Sequence, residues 1–137
     1  MSDIEIHNHK LSKLWSEKCE LMQDVATKAS SRCGEEYGDI IRRSVADFCN
    51  QSPPRTNEDF EVRAAELLQL SRFVGAISSA AISARRHPHV ARQILAATKA
   101  FSKAAISTGD MPNLCWRFAT LIAEICRSDR DKRPEVA

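Results

Sequence analysis

The stretch Ser71–Ala84, SRFVGAISSAAISA, decides the fold, because after Arg72 it runs twelve residues without a charge. A helix that is apolar or small all round belongs to a core or a membrane, not to a surface. Twelve residues rise only about 18 Å as a helix, short of the roughly 30 Å hydrocarbon layer of a bilayer, so the core is favoured. Gly75, the alanines and the serines let other helices approach its backbone closely. The stretch reads as the buried central helix of a bundle, with Arg72 as the one charge at its head.

Working outward, the flanking segments read as amphipathic helices. Upstream, Thr56 with Asp59 three residues on marks a helix start of capping-box type, followed by Phe60, Ala64, Leu67 and Leu68 at helical spacing. This helix runs almost directly into the central one, with a tight junction expected near Leu70 and Ser71. Downstream, Pro88 suits the first turn of a helix carrying Val90, Ile94, Leu95, Ala97, Phe101, Ala104 and Ala105. Gly109 closes that helix and Pro112 opens a last one, whose apolar face is Leu114, Cys115, Phe118, Leu121, Ile122 and Ile125. At the other end, Leu11, Leu14, Trp15, Cys19 and Met22 give an amphipathic first helix, and Tyr37, Ile40, Ile41, Val45 and Phe48 a second that ends at Pro53 and Pro54. Gly34 and Gly38 weaken the start of the second helix. Ile4 and Ile6 alternate as in a strand but have no partner strand, so residues 1–9 read as an N-terminal extension. The bundle spans 10–127, and the charged SDRDKRPEVA at 128–137 reads as a tail. The fold class is all-α.

The 137 residues suit one domain. Lys and Arg number 20 against 18 Asp and Glu, interspersed, which leaves no electrostatic footprint for nucleic acid. The five cysteines are odd in number and form no C-x-x-C pair, and no secretory signal precedes the first helix; a reducing, intracellular setting is expected. The tail follows no apolar run, so no membrane anchor is expected.

Chemistry is sparse. His7 and His9, and His87 and His89, are each separated by one residue, a spacing that diverges on or beside a helix, so no metal site is expected. Glu35 and Glu36 are neighbours that point apart on a helix and do not make a carboxylate pair. Cys33 has no activating partner in the sequence. There is no Gly-rich phosphate loop and no nucleophile elbow. The expectation is a protein without catalytic residues or cofactor.

The order of elements, a central apolar helix ringed by amphipathic ones, resembles the Bcl-2 family. Residues 33–45, CGEEYGDIIRRSV, resemble the third homology motif (BH-3) and the turn after it, with Gly34, Glu35, Tyr37, Arg42 and Arg43 at matching positions. Ser30 stands where the motif has its leucine. Phe60, Glu61, Glu66 and Leu67 resemble the approach to the first homology motif, whose core is reduced to Leu70, Ser71 and Arg72. Asn113 to Phe118, with Trp116, echo the second. Motifs this eroded on a short chain look most like a viral pro-survival member of a large DNA virus.

The resemblance implies a hydrophobic groove that takes BH-3 helices of host pro-apoptotic proteins and so blocks mitochondrial apoptosis, in the host cytoplasm or at mitochondria through partners. Helix-in-groove binding of this kind is an established recognition mode. The groove positions it implies are Tyr37, Ile41, Ser44, Val45, Phe48, Arg63, Ala64, Leu67, Leu68, Arg72 and Val74, with Arg72 pairing a ligand Asp and Arg63 narrowing ligand choice. An exposed groove also makes a homodimer plausible. Two other readings stand beside it. Some viral proteins of this fold have closed grooves and bind host signalling adaptors through helix faces, which a groove closed by Tyr37 and Arg63 favours. The other is a membrane-active protein inserting the Phe73 to Ala84 helix with its neighbour.

Overall fold

The computed structural model describes residues 3–107 and 110–132; Gly109 and the end of the tail, 133–137, lie outside the described residues. Five helices follow in order: α1 (Asp3–Cys33), α2 (Glu35–Cys49), α3 (Asn57–Arg86), α4 (Ala91–Ser107) and α5 (Met111–Lys132), with a short 3-10 turn at Pro88–Val90 leading into α4. The all-α expectation holds for the described residues.

In α1, Leu11, Trp15, Cys19, Met22, Ala26, Ser30 and Cys33 step by three or four and form the buried stripe. Asp3 and Glu5 sit in the first turn, where the helix dipole favours negative charge. The residues read as an extension are therefore helical from Asp3 onward, with Ile4 and Ile6 exposed on the helix. Gly34 ends α1 with φ of 84°, a left-handed conformation that costs glycine nothing, and α2 begins at the next residue.

α3 is one continuous helix of 30 residues, and the expected junction near Leu70 and Ser71 is absent. No Gly or Pro lies between Asn57 and Val74 to open the chain, and the Ser71 hydroxyl donates to the Leu68 carbonyl of its own helix at 2.6 Å. Its start is as read: the Thr56 hydroxyl accepts from the Asp59 N–H at 3.0 Å.

The central stretch is covered on one face only. Leu67, Leu70, Phe73, Val74, Ile77, Ala80 and Ala81 are buried, whereas Leu68, Ser71, Arg72, Gly75, Ser79 and Ile82 are exposed. The expectation of burial all round is thus corrected. By length and composition α3 could cross a membrane, the one such helix among the described residues; here its apolar face forms the core.

All four other helices pack on α3. The α1–α2 pair lies on one side. On the other, α4 returns along α3 and α5 comes back parallel to it: His87, just past the end of α3, bonds Asp129 near the end of α5, while Arg72 and Cys115 line one crevice nearer the helix starts. Two aromatic groups tie these layers. Phe73, Phe101 and Phe118, one each from α3, α4 and α5, stack with centroids 5.3 and 4.3 Å apart. Trp15 of α1 meets Phe48 of α2 at 5.9 Å and Phe60 of α3 at 6.4 Å.

Candidate functional site

The residues implied as groove positions divide into three groups. Tyr37, Ile41, Ser44, Val45, Leu67 and Val74 are buried, with Ile41 and Val45 at 0% exposure. Their contacts are internal. Ser44 shares a hydrogen bond of 3.1 Å with Ser102 of α4. Tyr37 faces Thr98 of the same helix, and burial, reinforced by the charge of Glu36, pushes its phenol above the ordinary range.

Phe48, Arg63 and Ala64 are half-buried. Phe48 leans on Trp15. Arg63 is engaged within the chain: it donates to the Ser52 carbonyl, pairs with Asp59 at 3.4 Å, and lies 5.9 Å from the centre of the Trp15 ring. It pins the loop after α2 to the start of α3. Leu68 and Arg72 form the third group, exposed one turn apart on the outer face of α3. The structure brings the first group together as core and leaves the last on a different face.

An open crevice lies elsewhere, between α3 and α5, with a volume of about 650 Å³. Its floor includes Ala80, Phe118 and Ile122, all buried. Its walls are small: Gly75 and Ser79 on α3, Ala119 and Ala123 on α5. Trp116 stands on the rim at 69% exposure. Arg72 and Arg130 belong to its two ends, and neither forms an ion pair with a carboxylate among the described residues. Burial raises the Cys115 thiol in this wall, and the charge of Arg72 works against that rise. The crevice escaped the sequence reading, although its signal is there in Gly75, Ser79 and Ser83, small residues repeated every fourth position on one helix face.

Of the histidines, His87 is spent on Asp129, Nδ1 to Oδ2 at 3.1 Å. His7 and His9 lie on α1 and His89 in the 3-10 turn. Among the described residues no three His, Cys, Asp or Glu side chains gather as a metal site would require. The cysteines are all free thiols, with Cys19 of α1 and Cys49 of α2 adjoining one another. Burial drives Cys49 up to about 12, with the adjoining Cys19 adding to the rise, so neither geometry nor charge prepares it as a nucleophile.

The crevice thus combines small walls, an apolar floor and an arginine at each end. No protein-family model, curated protein or solved structure matches the chain.

Proposed function

We propose that this chain is a protein-binding helical bundle that recognises its partner on an outer helix face, the closed-groove alternative within the Bcl-2 resemblance, with host signalling adaptors as the partner class. The observation that carries the reading is the complete burial of Ile41 and Val45 alongside Tyr37, Leu67 and Val74. Side chains that a BH-3 helix would have to touch are already engaged in holding α2 to α3 and α4. Admitting a ligand there would re-expose them at about 1.5–3 kcal/mol for each large residue. The outer faces meanwhile carry exposed Leu14, Leu21, Val25, Val62, Leu68, Ile82 and Trp116.

The pro-survival reading keeps one supporting observation. Leu68, 72% exposed, and Arg72 one turn later present an apolar group beside a cation, the pair a BH-3 leucine and aspartate would seek.

Calorimetric titration with a panel of BH-3 peptides separates the two. Helix-face recognition predicts no submicromolar binding. Submicromolar binding whose amide shifts map to α2 around Ile41 and Val45 would establish the pro-survival groove instead.

A further inference from the structure

We infer that the crevice between α3 and α5 is the docking site for an amphipathic helix of a partner protein that carries carboxylates at both ends of its contact. The inference rests on the helix-face reading above and names the face and the chemistry of what it takes.

Shape is the first argument. From Arg72 to Ser83 on α3, and from Cys115 to Arg130 on α5, the crevice runs about 20 Å, the length of roughly three to four helical turns. Phe118 and Ile122 in the floor offer apolar contact. The walls offer almost no side chain, which lets another backbone come close.

Gly75 is the second argument. A Cβ built there meets no atom within 4 Å, so the bundle's own packing does not require glycine at this place. Glycine inside a helix weakens it. A helix lying against this wall is what the missing side chain would accommodate.

Charge selects the occupant. α3 carries no carboxylate after Glu66, and the crevice has Arg72 at one end and Arg130 at the other. A second copy docked across a two-fold axis would bring Arg72 onto Arg130, or each arginine onto itself, in either direction of approach. Like charges would then meet at both ends. A helix with Glu or Asp at its ends instead gains two charge-assisted contacts around an apolar middle. Trp116 on the rim suits the purpose, since tryptophan recurs among the residues that dominate protein interfaces.

The test uses the whole chain, isotope-labelled, titrated with lactam-bridged helical peptides of about 16 residues. Each has an alanine- and leucine-rich face and glutamates at both ends; a control set carries lysines in their place. The expected result is micromolar binding by a glutamate peptide, with amide shifts at Gly75, Ser79, Ala119 and Ala123 and a blue shift of Trp116 emission. The doubly reversed Arg72→Glu, Arg130→Glu protein loses about tenfold or more in affinity and prefers the lysine set. Gly75→Leu, which fills open space, abolishes binding while the protein stays folded.

No shift on this face at millimolar peptide overturns the inference. So does a dimer in sedimentation that Gly75→Leu dissolves, which would make a second copy the occupant. A Trp116 blue shift with phosphatidylcholine–phosphatidylserine vesicles but not with peptides also overturns it, in favour of a membrane surface. The titration is independent of the BH-3 panel: binding in that panel mapped to α2 sinks the helix-face reading, whereas silence here with the panel also silent sinks only this site.

Discussion

Gly38 of α2 lies directly against the backbone of Ser30 of α1: a Cβ at Gly38 would stand 2.8 Å from the Ser30 carbonyl oxygen and 3.0 Å from its Cβ. The two helices meet here because one has no side chain and the other a small one, and Gly34, four residues earlier, makes the tight turn that brings them together. Helix propensity alone would rank Gly38 and Gly75 as equal weaknesses. Their surroundings make them opposites.

Gly75→Ala should stabilise the protein by about 1 kcal/mol, the propensity gain in a helix interior with open space around the new methyl. Gly38→Ala should destabilise it despite the same gain, because its methyl falls on backbone that cannot swing aside; a net loss of about 1–3 kcal/mol is expected from overpacking. Thermal melts of the two variants check both: one midpoint rises by a few degrees and the other falls. Two midpoints rising together would mean that α1 and α2 do not cross at Ser30 and Gly38.

Tyr37→Phe should be neutral or stabilising by up to about 1 kcal/mol. The phenol oxygen is buried without a well-formed hydrogen bond, and Thr98, which it faces, gives its own proton to the Ile94 carbonyl at 2.7 Å. Removing a poorly satisfied hydroxyl while keeping the ring spares a desolvation cost. Urea unfolding of the pair measures this, and a loss above about 1 kcal/mol would mean that the hydroxyl is bonded in solution.

Alkali should destabilise the protein partly through Cys49. Burial holds its folded thiol at about 12 against an ordinary 9.0, so the folded state keeps a proton that the unfolded chain releases. That stability is complete below pH 9, declines as the unfolded thiol ionises, and is lost as the pH climbs toward 12. Melting points taken at intervals above pH 9 should fall less steeply for Cys49→Ala than for the parent. Parallel slopes would remove Cys49 as a cause.

What could be read from the chain and what could not divide along a physical line. Signals contained within one helix were legible: the Thr56 cap, Pro88 at a helix start, and the stripe Leu11, Trp15, Cys19 and Met22, although Leu14, read into the same face, is exposed. The exposed face of α3 was not, because composition reports how apolar a stretch is and not how many neighbours surround it. Among the described residues, no further helix packs over Gly75 and Ser79. Composition is equally silent on whether Ile41 and Val45 line a groove or close a core, since both are apolar either way. The crevice pairs Gly75 with Ala119, residues far apart in sequence, and only packing brings them together.

Asp129 gives the sharpest case and a last prediction. It falls in the charged segment from Ser128 that reads as a solvated tail, yet it is 5% exposed and bonded to His87. α5 continues through it, so the segment to Lys132 is part of the bundle. A carboxylate so covered is tolerable only with partners, and the His87 ring nitrogen next to the end of α3 is one of them. His87→Ala should therefore cost about 1–3 kcal/mol by leaving that oxygen short of a donor. His89→Ala, at an exposed position two residues on, should cost less than about 0.5 kcal/mol. Urea unfolding of the two variants decides it: equal midpoints would mean that the end of α5 is not anchored to α3 in solution.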